Sequence, residues 1–221
     1  MKVQQIIFII LLLVTGFFAF RLYGRVIANI RLGKAWTPDG KSDVRWKNLI
    51  LVAFGQRKMF KRMLPAVFHL FIYVAFVITQ IELIEILVDG VFGIHRFFAA
   101  PLGSFYTFVI SSIELLSVLA FVATLIFLWR RNVKRVARFE NPEMQGWPRL
   151  DANLILVGEL LLIIGILTMN SADLALQSLD PSHYQQTGSF LISGSFLSEF
   201  VGQLDLGTLI FLERGGWWLH I

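Results

Sequence analysis

The sequence predicts an all-α integral membrane bundle of about five transmembrane helices, with the fifth incomplete. Three observations carry that expectation. The chain is 56% apolar and only 16% charged, where a soluble domain has roughly 45–50% apolar and 25% charged residues. Its charges gather between long apolar runs, each near the roughly 20 residues that cross a bilayer as a helix. Of its 20 Lys and Arg residues, all but Lys2, Arg96 and Arg214 fall in two segments, 21–62 and 130–149.

The apolar runs place helices at about 5–27, 64–88, 103–129, 151–176 and 207–221, the last still running at Ile221. A chain folded by lipid satisfies its backbone groups within helices, because an unpaired group costs several kcal/mol in hydrocarbon. The first run reads as a retained helix, not a cleaved signal peptide. Its n-region holds one Lys, and Phe17, Phe18 and Phe20 stand where a cleavage site needs small residues. The half-length fifth run suggests that more of the same helix, and a cytoplasmic continuation, follow Ile221.

Lys and Arg excess marks the cytoplasmic face. The two basic segments are therefore expected inside, the N-terminus outside, and the chain in an inner membrane. The same topology accounts for the net charge of +5 and the pI near 9.7, so the basic excess points to anionic lipid and not to nucleic acid. Zero cysteines exclude disulfides, cysteine-ligated iron–sulfur clusters within this chain, and thioether-linked haem.

Between the first two runs, Trp36-Thr37-Pro38-Asp39-Gly40 is a turn signal. Residues 44–63 interleave apolar side chains with Arg45, Lys47, Arg57, Lys58, Lys61 and Arg62. That pattern predicts a basic amphipathic helix on the inner surface, a headgroup anchor or a docking face for an electron-transfer partner. The segment 190–200 is apolar for a loop and is expected to lie on the outer surface or to cover a pocket.

Ionisable residues inside apolar helices are functional hypotheses. His69 lies two turns into the second helix, and His220 follows Trp217-Trp218 in the fifth. Imidazole is the usual axial ligand of b-type haem, since a neutral ring nitrogen binds iron without adding charge to a low-dielectric interior. The bland alternative is a histidine hydrogen-bonded between helices. Glu82, Glu85, Glu114 and Glu159 are candidate proton acceptors for a quinol, or carboxyls neutralised by burial. Asn170 and Asp173 are read as the end of the fourth helix, and His183 as an exposed loop residue.

The basic approach Arg57-Lys58-Met59-Phe60-Lys61-Arg62, the stretch His69-Leu70-Phe71-Ile72-Tyr73-Val74-Ala75-Phe76 and Trp217-Trp218-Leu219-His220 give the chain a family likeness. It resembles the membrane cytochrome b subunits of the respiratory nitrate reductase and heterodisulfide reductase type. The resemblance implies one or two b haems passing electrons between menaquinone, or another quinone, and a cytoplasmic iron–sulfur partner or fused C-terminal domain. It implies His69 and His220 as haem ligands, with His95 a possible partner of His220 and Arg96 meeting a propionate.

The nitrate reductase type carries a second histidine about ten residues on in helix two, where this chain has Thr79. His69 and His220 also sit at depths roughly 10–15 Å apart at 1.5 Å per residue. One haem therefore cannot take both, and the partner of His69 is expected beyond Ile221. A transporter or channel built on intramembrane His and Glu, or a structural membrane anchor, are the competing readings.

Overall fold

Hydrocarbon leaves a backbone few options, and the chain takes the helical one. A computed structural model describes every residue except Met1 and 35–39, and for Lys2 and Arg138 the backbone only. The turn expected at 36–40 thus lies outside the described residues, Gly40 excepted. No strand occurs among the described residues. Helices α1 (Lys2–Arg31), α2 (Ser42–Asn48), α3 (Met63–Phe92), α4 (Ala99–Leu102), α5 (Ser104–Asn132), α6 (Trp147–Leu179), α7 (Ser198–Val201) and α8 (Leu206–Leu219) follow in order. Of these α1, α3, α5 and α6 are long and apolar enough to cross a membrane. The chain is an all-α, multi-pass membrane bundle. The 14 residues of α8 rise about 21 Å.

The residues gather into two compact units, 1–66 with 90–93, and 67–89 with 94–221. In the first, α1 exposes nearly its whole apolar surface, and Phe8 is its one buried residue among those described. The Phe8 ring fills the space above Gly90, where an added Cβ would fall 2.5 Å from Cε1. Gln5 Nε2 donates to the Val91 carbonyl at 2.6 Å, satisfying one of the orphan acceptors at the end of α3.

The basic segment 44–63 is helical but not one helix. After α2 the backbone widens into a π turn, Leu49–Phe54, breaks at Gly55, and resumes as a 3₁₀ turn, Arg57–Lys61. Gln56 sits at φ 49°, in the left-handed region where a helix of L-residues stops. Trp46, Ile50 and Phe54 are exposed at a spacing of four, among exposed Arg45, Lys47, Arg57 and Lys58. In place of the single helix expected over 44–63, the stretch forms two short helical pieces.

The second unit is built on small residues. Ala75 of α3, Ala120 of α5 and Ile163 of α6 form one buried cluster, flanked by Ile72, Leu116, Phe121 and Leu167. Lipid gives no hydrophobic drive between helices, so side-chain packing and polar contacts hold them. The tightest approach joins α6 to α8: a Cβ on Gly216 would lie 2.7 Å from both the Gly165 carbonyl oxygen and Met169 Cβ. Ala172, Leu176 and Leu209 continue that seam. Asp205 caps α8, accepting from the Thr208 amide at 3.1 Å. The Thr208 hydroxyl and amide hold its carboxyl below the usual carboxylate range.

At the basic end, Asn132 and Asn153 exchange amide hydrogen bonds of 3.2 and 3.0 Å, tying α5 to α6. At the opposite end α6 continues to Leu179, well beyond Asn170 and Asp173, which are buried and do not mark its terminus. The segment after it folds back: Phe190 and Ser193 are buried, Ser193–Leu197 forms a π turn, and α7 follows.

Replacing Gly216 with Val should drive α8 off α6 at a cost of about 1–3 kcal/mol, the range for overpacking. Thermal unfolding in detergent, followed by far-ultraviolet circular dichroism, should show a lower midpoint. Gly158→Ala, at a position open within 4 Å, should not lower it.

Candidate functional site

Lipid-spanning helices rarely bury charge, and the second unit buries several. Glu82, Glu85, Arg96, Glu114, Asp173 and Glu213 are each at most 5% exposed. Arg96 organises them. It sits at φ 54° in the turn between α3 and α4, and Asp89 fixes that turn by accepting the Arg96 and Phe97 amides at 2.8 and 3.0 Å. The left-handed step turns the side chain inward.

There the guanidinium engages three side chains. Nε donates to Asp173 Oδ2 at 3.0 Å, Nη2 lies 2.9 Å from the same oxygen and donates to Asn170 Oδ1 at 2.7 Å, and Nη1 donates to the Tyr106 hydroxyl at 3.0 Å. The Phe190 ring lies 5.3 Å from the guanidinium carbon. Burial disfavours the charge, and Tyr106, Asp173, Glu82 and Glu85 more than restore it, so the group's affinity for its proton rises. Arg96 is a fixed cation.

The surrounding acceptors are themselves placed. Tyr106 donates to Glu85 Oε2 at 2.6 Å, and the Phe98 amide donates to Oε1 at 2.8 Å. His95 lies against Asp173 with Nε2 2.7 Å from Oδ1, while the Gln185 amide reaches Nδ1 at 3.0 Å. An amide N–H only donates, so Nδ1 carries no proton and the ring hydrogen sits on Nε2 facing Asp173. Both nitrogens of His95 thus have hydrogen-bond partners, and Arg96 is ion-paired with Asp173.

His95, Asp173 and Glu213 each bring a possible ligand atom within 4.8 Å of the others. Arg96 already neutralises Asp173, and Glu213 pairs with its neighbour Arg214, so this arrangement is an ion-paired knot complete in itself. Glu114 is equally occupied. It accepts from the Ile192 amide at 2.7 Å, the Ser193 amide at 3.2 Å, the Ser193 hydroxyl, and Asn170 Nδ2 at 3.3 Å. Its structural role is to pin the folded-back segment to α5.

Glu82 differs. Its carboxylate is 2% exposed, and neither oxygen receives a hydrogen bond among the described residues. Arg96 Nη1 stands 3.7 Å from Oε1, and the Asn170 amide beside it is turned to Arg96 and Glu114. Buried polar groups normally have partners. Glu82 faces a cavity of about 220 Å³ between α3, α5, α6 and α8, lined also by Thr79, Ser117, Glu159 and His220. Two candidate acceptors from the sequence, Glu82 and Glu159, thus meet in one place.

His220 forms part of the same wall. Its Nδ1 donates to the Gly216 carbonyl at 2.7 Å, and the ring also meets the Leu162 backbone. Its ring rests against Gly165, 3.4 Å from where a Cβ would be. Thr79 lines the cavity too, its hydroxyl donating to Phe76 O at 3.2 Å. His69 is elsewhere: it is exposed, makes no hydrogen bond to a described residue, and lies six or more residues before the cavity-lining part of α3. His183 is exposed and paired with Asp180 at 2.8 Å. Hydrogen bonds from Ser182 and His183 lower the Asp180 carboxyl.

In the sequence Arg96 stands out as an exception to the charge distribution, with no sign of the aspartate it meets, and nothing singles out Tyr106 or Ser193. Tyr106 carries no signal beyond its place in an apolar helix. No protein-family model, curated protein or solved structure matches the chain.

Replacing Arg96 with Gln leaves Asp173 buried and unpaired, and should cost roughly 3–5 kcal/mol. Arg96→Lys should recover little, because an ammonium cannot span the fork. Adding Asp173→Asn to Arg96→Gln should recover a large part. Thermal midpoints of the purified variants read this out, and an unchanged midpoint for Arg96→Gln alone would show that the pair does not hold the bundle. Glu114→Ala should release the 190–201 segment, read as faster chymotryptic cleavage at the exposed Phe196 and Phe200.

Proposed function

We propose that the chain is a haem b-containing membrane electron-transfer subunit linking the quinone pool, menaquinone or another quinone, to a cytoplasmic iron–sulfur partner or domain. The observation that carries this reading is His220. Its Nδ1–H is held by the Gly216 carbonyl within a membrane bundle, the kind of backbone contact that orients histidines that bind metal ions. His69, exposed on α3 and without a hydrogen bond to a described residue, is the residue suited to a second haem.

The donor set suits axial ligation, one imidazole at each of two depths. The cavity alone, at about 220 Å³, lies below the roughly 300–1,000 Å³ of sites that enclose a drug-sized ligand, so it does not by itself house a porphyrin. When bound, haem supplies one-electron chemistry. This chain's residues hold the ring nitrogens in one tautomer and keep the surroundings apolar. The distribution of Lys and Arg supports an inner-membrane location with the N-terminus outside. The exposed basic residues at 45–62 supply a surface for an acidic partner.

The buried carboxylates beside the cavity also favour a second reading, a proton or ion pathway. A reduced-minus-oxidised visible spectrum of the purified full-length protein, with pyridine-haem quantification per chain, separates the two. A b-type α band is expected, with haem content falling in His220→Ala and in His69→Ala. A featureless spectrum from folded wild-type protein would overturn the cytochrome reading.

A further inference from the structure

The basic end of the second unit buries a cation that no carboxylate among the described residues meets. Arg131, in the last turn of α5, is 8% exposed. Its Nη2 donates to the Pro148 carbonyl at 3.3 Å, and its guanidinium carbon lies 5.1 Å from the centre of the Phe139 ring. Its Nε has no hydrogen-bond partner among the described residues. Buried donors normally have partners, and a buried charge normally has an opposite one. Arg149, half-buried in the first turn of α6, is tied to the same spot. Its Nη1 donates to Gln145 Oε1 at 3.4 Å, and Gln145 Nε2 donates to the Phe139 carbonyl at 3.2 Å. Neither arginine forms an ion pair with a described residue.

The two cations stand just outside the apolar runs, which end at Trp129 in α5 and begin after Arg149 in α6, the depth at which headgroups and interfacial tryptophans sit. Exposed Leu125 and Trp129, four apart on α5, and exposed Trp147, Leu150 and Leu154 on one face of α6 lead from them into hydrocarbon. Guanidinium groups pair with phosphate oxygens through charge-assisted bonds, and basic pockets between membrane helices take anionic headgroups. We infer that Arg131 and Arg149 hold the phosphate of one anionic phospholipid at the α5–α6 connection, with its acyl chains along the apolar faces of the two helices. Free phosphate shares the headgroup chemistry, and those apolar faces favour the lipid. Two arginines without a carboxylate also favour a headgroup that carries no ammonium of its own.

The site stands apart from the haem and quinone chemistry proposed above. Full-length protein, stripped of lipid in a non-ionic detergent, is titrated with phosphatidylglycerol or with phosphatidylcholine of the same acyl chains, and the first bound lipid is followed by native mass spectrometry. Wild type should bind phosphatidylglycerol about tenfold or more tightly, the worth of one hydrogen bond to a charged group. Arg131→Gln should shrink that preference to about threefold or less, and Arg131→Lys should restore it only in part, because an ammonium lacks the guanidinium fork. Arg149→Gln should also reduce it, and serves as the probe if the Arg131 variants do not fold. Arg25→Gln, which removes an exposed charge from α1, should keep it. Equal binding of the two lipids by wild type, the full preference kept in both glutamine variants at 131 and 149, or an equal loss in Arg25→Gln overturns the site. Displacement of the lipid by inorganic phosphate, but not by chloride at equal ionic strength, overturns the lipid as its occupant.

Discussion

The arrangement of the second unit hangs on one ion pair, Arg96 with Asp173, closed inside a bundle that faces hydrocarbon. An isolated charge there is costly, and a pair is tolerable only when the remaining donors and acceptors are also satisfied. Arg96 meets that condition by a division of labour: Nε and Nη2 address Asp173, Nη2 also reaches Asn170, and Nη1 reaches Tyr106. Tyr106 passes the constraint to Glu85 and Asn170 passes it to Glu114. Three membrane helices and two connecting segments are thereby fixed by one side chain. Asp89 sets the turn from which that side chain enters.

Against this saturated network the cavity stands out by what it lacks. Glu85, Glu114 and Asp173 have spent their oxygens on named donors, whereas Glu82, one turn before Glu85, has none. The same helix therefore carries a structural carboxylate and an uncommitted one on successive turns, and the uncommitted one lies between apolar Ile81 and Leu83. The small residues Ala75 and Ala120, in one buried cluster with Ile163, also line the space that Glu82 faces.

The helices are legible in the sequence because bilayer thickness imposes a length on apolar runs, and the runs at 64–88, 103–129 and 151–176 fall inside α3, α5 and α6 apart from Gly103, which precedes α5. The polar site is legible in part. Glu82, Glu159 and His220 stand out as ionisable residues in apolar stretches, and the cavity unites them. Their companions do not, for a helix apolar on every side offers no amphipathic stripe to say which face turns inward. Asp173 reads as a helix end because a carboxylate after a long apolar run looks like the water boundary. Its cation, Arg96, lies 77 positions earlier, a separation that no local pattern encodes. The break at Gly55 and Gln56 is visible as composition but not as geometry, because Gln rarely adopts the left-handed conformation it holds here.

The distance in sequence between Arg96 and Asp173 bears on biosynthesis. The chain emerges from its N-terminus, so α3 and α5 are made, with Glu82, Glu85, Glu114 and Arg96 in place, before Asp173 in α6 exists. Until α6 arrives, the guanidinium has no aspartate to face and Glu114 lacks Ser193 and Asn170. The translocation machinery must therefore shelter a charged pair of helices, or hold them near water, while the next span is completed. A gene split between α5 and α6 would yield two fragments, each carrying half of an ion pair that neither can bury alone.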